Sequence, residues 1–333
     1  MSECARLDIP NLRTRSLRGI FRNARVGLVH YDEPLSRHSS WKIGGPASLI
    51  VEPACLEDLV ECCRLVVRHE VPCIVIGHGT NLLFDDAGLA GVVIKIARRM
   101  ADWCFQDNHL CVQAGLWIPR LARIAVRLGL TGLEHIVGIP GTVGGLTAMN
   151  GGSLRRSIGD SIVLVRAVER NTGSIVELDH DGCGFAYRTS RFQQGYLVVA
   201  EVQLECEHGE RRAIRREMLT ILRERRHKFP RKQPNCGSVF VSAEEMHKRF
   251  GPPGKVIEEA GLKGCRIGAA QVSRKHANFI VNLGGASSHD VLGLIARIRA
   301  EVHRRTGIWM ESEVRYVSPE GSICPASEAT EQQ

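Results

Sequence analysis

Residues 138–145 read Gly138-Ile139-Pro140-Gly141-Thr142-Val143-Gly144-Gly145. A second glycine-rich stretch, Gly77-His78-Gly79-Thr80-Asn81-Leu82-Leu83, follows the apolar run 71–76. Glycine has no Cβ, so its backbone takes up positive φ and lets amides approach an oxyanion closely. Successive amides form a concavity that suits an anion. Thr80, Asn81 and Thr142 add short hydrogen-bonding side chains. Together the two loops suit a diphosphate without needing a lysine. Neither fits G-x-G-x-x-G or G-x-x-x-x-G-K-[ST], so nothing supports a Rossmann dinucleotide site. One such loop alone is as easily an ordinary tight turn. Two of them, each following an apolar strand, shift the balance toward phosphate.

Around these loops, short strands and helices are mixed. Residues 49–51, 71–76, 92–96 and 110–114 read as strands. Leu56, Leu59, Val60, Cys63 and Val67 fall at helical spacing. Pro119 suits the first turn of a helix that Gly129 ends. Strands are expected at 162–168, 174–178 and 196–204. A basic helix is expected over about 211–227. Beyond it, strands are expected near Ser238, near Phe279 and over 313–317, with helices near 253–260 and 288–306. The pattern is α+β in two blocks. They divide near Gly209, with the basic helix opening the second, and the first block divides again near residue 100.

The chain has 333 residues, 44% of them hydrophobic, enough for a sizeable core in two or three domains. No run approaches the roughly 18 apolar residues of a membrane span, and the start lacks a signal-peptide pattern. Twelve cysteines are scattered without a CxxC pair. Reduced thiols and a cytoplasmic location are therefore expected. Thirteen histidines show no H-x-x-x-H clustering, so no metal site is expected. The net charge is +8, concentrated near the N-terminus and over 211–228. A solvated helix face explains such charge first, attraction of a small polyanion second, and nucleic acid last, because no nucleic-acid motif accompanies it.

In order along the chain stand SWKIGGPA, GHGTNLLFDDAG, GLEHIVGIPGTVGG, FAYRTSRF, CGSVF, EEAGLKG, VSRKHANFIVN and SEVRYV. This series, over roughly residues 36–317, resembles the UDP-N-acetylenolpyruvoylglucosamine reductase family of peptidoglycan-synthesis flavoenzymes. The short run from Tyr187 to Tyr196 resembles the type without an extra tyrosine loop. The resemblance implies a two-lobed FAD-binding domain of the vanillyl-alcohol-oxidase (PCMH) type over 36–208 and a smaller α+β substrate-binding domain over 209–317. A basic, poorly ordered extension (1–35) and a disordered tail (318–333) flank them. A monomer is expected, with no membrane or nucleic-acid partner.

The implied reaction takes hydride from NADPH through non-covalent FAD to the enolpyruvyl group of a UDP-sugar. By family position Ser238 supplies the proton, Arg188 stabilises the growing charge, and Glu313 is the third catalytic residue. Glu313 makes sense beside an anion if it is protonated, or if it orients Ser238 or Arg188; Glu311 is its rival. Cys236 is the stronger nucleophile of PNCGSVF, but a thiol beside a reduced flavin oxidises and a hydroxyl does not. FAD contacts fall to Gly77, Gly79, Thr80, Asn81, Leu82, Ile139, Pro140, Gly141, Thr142, Val143, Gly144 and Gly145. Tyr187, Lys263, Lys275, His276 and Asn278 are implied on the substrate side. The segment after Phe240 lacks the family's usual Lys-Asn-Pro. That departure keeps open a flavoprotein acting on another sugar nucleotide. A basic nucleic-acid module is the other alternative, and it leaves the glycine loops unexplained.

Overall fold

The computed structural model describes residues 17–330. Residues 17–23 are helical (α1). β1 (Leu28–Pro34) pairs antiparallel with β2 (Pro46–Glu52). β2, β5 (Leu89–Lys95) and β3 (Cys73–Ile76) run parallel, completing the order β1-β2-β5-β3. Parallel strands are covered on both faces and so read as continuous apolar runs. Accordingly Leu49 and Val51 of β2 enter the main core, while Ile50 joins Ile74, Ile76 and Val93 on the opposite face. α2 (Leu56–Arg68) covers the first face with Leu59, Cys62, Cys63 and Val66, and the Cys55 thiol caps it by accepting from the Asp58 amide.

A second, antiparallel sheet follows the order β10 (Ile175–Asp179), β9 (Ile162–Glu169), β11 (Leu197–Glu205), β7 (His109–Gln113), β6 (Trp103–Gln106). Asp107 and Asn108 turn the β6–β7 hairpin with φ of 50° and 62°. Positive φ at both central residues is the type I′ turn, whose twist matches that of the strands. Val112, Val165 and Val202 from this sheet share one core with Val51 and Val92. α3 (Ile118–Leu128) starts with proline in its first turn and ends at Gly129, φ 73°.

α5 (Arg211–Lys228) departs from the expected division of the chain. Ile214, Met218 and Ile221, spaced i, i+4, i+7, lie in the core of the first block. The basic helix therefore belongs with the first block rather than opening the second. A short ladder of β12 (Glu207–His208) on β8 (Leu130–Thr131) fastens its approach.

The second core is built by α6 (Glu244–Arg249), α7 (Pro253–Glu259) and α8 (Ser288–Thr306) around the sheet β13 (Arg266–Ile267), β14 (Ala270–Val272), β15 (Ile280–Asn282). A Ser287–Asp290 capping box starts α8, and Gly307 at φ 74° ends it. Trp41, far away in sequence, is fully buried in this core. Its Nε1 donates to the Ile280 carbonyl at 2.8 Å, and the Asn282 amide donates to the Trp41 carbonyl at 2.9 Å.

β4 (Leu82–Phe84), at the exit of the first glycine loop, pairs parallel with β16 (Arg315–Val317), which pairs with β17 (Ile323–Pro325). The expected tail thus contributes a strand, and α9 (Ala326–Ala329) after it buries Ala326 and Ala329 in the second core. At the other end, β1 falls inside the expected extension 1–35. Its edge position leaves none of its side chains fully buried and hides the strand signal. Residues 1–16 and 331–333, including Arg6, Arg13 and Arg15, lie outside the described residues. The strand expected near Ser238 is absent; Phe240 makes only an isolated bridge to Ser312.

Candidate active site

A cavity of about 2000 Å³ is lined by both glycine loops, by α3 and α5, by the segment around Ser238 and by Glu313. The loops pack on each other too closely for side chains. A Cβ on Gly77 would sit 2.3 Å from Thr142 Oγ1, and one on Gly141, φ 124°, 3.0 Å from Thr80 Oγ1. Thr80 Oγ1 donates to the Pro140 carbonyl at 3.5 Å. Thr142 Oγ1 accepts from the Gly145 amide at 3.3 Å and caps α4 (Val143–Ala148). Gly77, Gly79, Thr80, Asn81 and Leu82 face the cavity, as do Ile139 to Thr142, Gly144 and Gly145. Val143 does not. Its side chain is fully buried beneath the loop, and its amide bonds the Leu116 carbonyl.

Gly79 has φ 59°, and a Cβ there would lie 2.0 Å from the His38 carbonyl oxygen. Gly79→Ala therefore combines left-handed strain with a clash against backbone. A loss of about 3 kcal/mol or more is expected in urea denaturation; an unchanged midpoint would refute this packing.

Cys236 and Ser238 both border the cavity but are held differently. The Cys236 thiol is buried and donates to the Leu82 carbonyl at 3.4 Å, and burial drives its pKa upward. It fastens the underside of the first loop. Ser238 lines the cavity, as do Arg188 and Glu313. The segment after Ser238 is clamped from both sides: the Val239 amide bonds the Asn278 carbonyl at 2.9 Å, and the Glu313 amide bonds the Val239 carbonyl at 2.8 Å. Asn81 Nδ2 donates to the Glu313 carbonyl at 2.9 Å, tying the acid to the first glycine loop.

Arg188 Nε lies 3.4 Å from Glu313 Oε1, and its Nη2 donates to the Gly152 carbonyl at 3.1 Å. Its backbone is left-handed, φ 55°. A non-glycine residue holds that conformation only when its surroundings fix it. Here Gln193 Nε2 donates to the Arg188 carbonyl at 2.7 Å, and Asn150 Nδ2 to that of Ala186 at 2.8 Å. Both are residues sequence reasoning passed over. Asn150 stands out only by its place in Asn150-Gly151-Gly152, and Gln193 by nothing local.

Burial raises the Glu313 carboxyl above the usual range, with Arg188 pulling the other way. Burial also lowers the Arg225 guanidinium, helped by Arg231 and Arg188 nearby. Glu313 is the one carboxylate on a lining that carries arginines from α3, from α5 and from the segments around 188 and 231. α5 thus turns Arg215, Arg225 and Arg226 toward the cavity beside Met218, Leu219 and Leu222, and their charge suits a polyanion.

Five residues expected on the substrate side lie elsewhere. Tyr187 is exposed and sits under the Arg188 guanidinium, 5.8 Å from ring centre to Cζ. Lys263 pairs with Glu258 at 2.7 Å. Lys275 Nζ donates to the Arg226 carbonyl at 2.6 Å, closing the end of α5. His276 packs on Phe229 and Phe279, its pKa lowered to about 4 by burial and by Lys228 and Lys263. Asn278 is buried, its side chain bonding both the amide and the carbonyl of Phe240. It positions the segment carrying Ser238 instead of meeting the cavity. Phe229 and Phe279, stacked at 5.0 Å, line it, as do Trp117 and Phe192. Among the described residues no group of three or more His, Cys, Asp or Glu is placed to hold a metal ion, and no helix is long and apolar enough to cross a membrane.

Residues 47–179 match the family model for an FAD binding domain. Residues 229–317 match that for the C-terminal domain of UDP-N-acetylenolpyruvoylglucosamine reductase. The chain is 42% identical over 299 residues to UDP-N-acetylenolpyruvoylglucosamine reductase 1 of Corynebacterium glutamicum, covering 90% of this chain and 89% of that one. It is also 42% identical to the Heliobacterium modesticaldum reductase, over 87% and 90% of the two chains. The crystal structure of UDP-N-acetylenolpyruvylglucosamine reductase from Thermus caldophilus superposes with a TM-score of 0.73 at 31% identity, over 87% of this chain and 98% of that one.

Proposed function

The chain belongs to the UDP-N-acetylenolpyruvoylglucosamine reductase family, and from that membership we infer that it is an FAD-dependent oxidoreductase of peptidoglycan precursor synthesis. It reduces the enolpyruvyl ether of a UDP-N-acetylglucosamine to the lactyl ether, giving UDP-N-acetylmuramate, with NADPH as reductant. It works in the cytoplasm as a monomer. One observation supports this reading: Ser238, Arg188 and Glu313 all line the cavity that both glycine loops line, with Arg188 Nε 3.4 Å from Glu313 Oε1.

The cavity fits FAD. Its volume accommodates a dinucleotide. The loops present backbone where a Cβ could not stand, and Arg225, Arg226 and Arg231 bring positive charge to the same wall. Bound FAD supplies the hydride chemistry, and the protein supplies orientation and charge.

Hydride arriving at the terminal methylene carbon leaves an enolate conjugated with the substrate carboxylate. Arg188, with its planar fork, stabilises that growing negative charge. Ser238 Oγ–H is the proton source for the adjacent carbon; an enolate carbon is basic enough for a well-placed hydroxyl to serve. Glu313, with its pKa already raised by burial, is protonated when the substrate's carboxylate adds a further negative charge. In that form it donates a hydrogen bond instead of repelling the anion.

Two experiments test this. The purified protein is expected to be yellow and to oxidise NADPH only when the enolpyruvyl nucleotide sugar is added. A colourless protein, or NADPH oxidation supported only by another sugar nucleotide, would overturn it. The second concerns Glu313. A carboxyl that acts protonated is active below its raised pKa and fails as pH rises through it. Substrate reduction is expected to fall on the alkaline side. Glu313→Gln, neutral at every pH, is expected to retain activity and lose that alkaline limb. Inactivity of Glu313→Gln across the whole pH range would show that the ionised form is needed.

A further inference from the structure

Of the eleven described cysteines, five are buried and six are at least partly exposed. Cys62, Cys63, Cys183, Cys206 and Cys236 are buried, and burial raises each thiol's pKa. Such thiols are inert. Cys104 and Cys111 differ. Cys104 is exposed and Cys111 partly exposed. They stand directly opposite each other in the β6–β7 hairpin, in the register Trp103↔Val112, Cys104↔Cys111, Phe105↔Leu110.

Both point the same way. Leu110 and Val112 turn inward and are buried, so Cys111 between them faces outward, and its cross-strand partner shares that face. Opposed residues of an antiparallel pair have Cα atoms about 4.5–5.5 Å apart, inside the span of about 4.4–6.8 Å that a disulfide bridges. Burial raises the Cys111 thiol's pKa, and the adjacent Cys104 raises it further through charge and a side-chain hydrogen bond; the pairing rests on the register and the exposure of Cys104. β6 is the edge of its sheet, so an oxidant reaches the pair from solvent.

We propose that Cys104 and Cys111 are a reversible oxidation site, closing to a cross-strand disulfide with hydrogen peroxide as the two-electron oxidant. The thiolate of one cysteine attacks peroxide, forming an S–O bond and releasing water to leave a sulfenic acid. The second thiol attacks that sulfur, forming the S–S bond and releasing a second water. Two thiols are oxidised, and one peroxide is reduced to two waters. The bridge staples the edge hairpin behind the second glycine loop: three residues beyond Cys111, the Ala114 carbonyl accepts from the Gly144 amide at 2.8 Å. Exposed bonds of this kind are the reducible ones.

The test uses the full-length, FAD-loaded protein. It is treated with hydrogen peroxide, its free thiols are blocked, and it is digested with trypsin. Residues 100–120 lie between Arg99 and Arg120 with no other basic cleavage site, so both thiols fall on one peptide. That peptide is expected to escape blocking and to lose about 2 Da, the two hydrogens of a disulfide. Millimolar reduced glutathione is expected to restore both blocking sites. Cys104→Ser and Cys111→Ser, both remote from the cavity, are expected to keep reductase activity and to abolish the loss. Three results would overturn the proposal: a doubly blocked peptide after peroxide, oxygen added at Cys104 while Cys111 stays blockable, or Cys111 bridging to a different cysteine in Cys104→Ser.

Discussion

Ser238→Ala is expected to leave reduction of the bound flavin by NADPH intact and to slow its reoxidation by the enolpyruvyl substrate by about 10²–10⁴-fold, the usual worth of a positioned acid. The two half-reactions separate because only the second needs a proton at carbon. Structural damage is not expected. Val239 and Phe240 hold the segment through Asn278 and Glu313 backbone and side-chain bonds, none of which uses the serine hydroxyl. Anaerobic single-turnover absorbance at the flavin band reads each half-reaction alone. Reoxidation at the native rate would remove Ser238 from its role. Loss of both half-reactions would point to a fold defect, which denaturation of the same sample would show.

Arg188→Lys carries the second large effect. Lysine keeps the charge but not the fork, so one head cannot serve Gly152, Glu313 and a carboxylate together. The expected loss is about 10²–10³-fold in the same reoxidation step, comparable to removing one donor from a charge-stabilising site. It also bears on Glu313. Arg188 is what pulls Glu313 toward ionisation, so in a neutral replacement such as Arg188→Gln, which loses the ion pair, the alkaline limb of the pH profile is expected to move to higher pH. Near-native turnover with an unmoved limb would separate Arg188 from both the charge and the carboxyl.

How much of this was legible in the residues depended on whether the signal was local. The parallel strands announced themselves as apolar runs, and Pro119 and Gly129 marked both ends of α3. The loops that line the cavity were legible because there are two of them, each following an apolar strand. The side of α5 that faces the cavity was not. Charge can be counted, but only packing of Ile214, Met218 and Ile221 fixes which arginines turn inward. The partners of the substrate-side lysines were hidden for the same reason: Lys263 and Lys275 find them on neighbouring segments that sequence distance conceals. Asn278 looked like a ligand contact and is a brace, since two hydrogen bonds to Phe240 become visible only when the chain has folded back.

The indole of residue 41 is planted in the far core, and β16 lies along β4 from the opposite end of the chain. Neither half therefore owns a complete interior. A fragment cut out from residue 229 onward would carry a hollow where that ring belongs and a strand with one side bare. Such a pair of halves is not interchangeable by gene fusion or shuffling. A change in the packing of one half is therefore felt in the interior of the other.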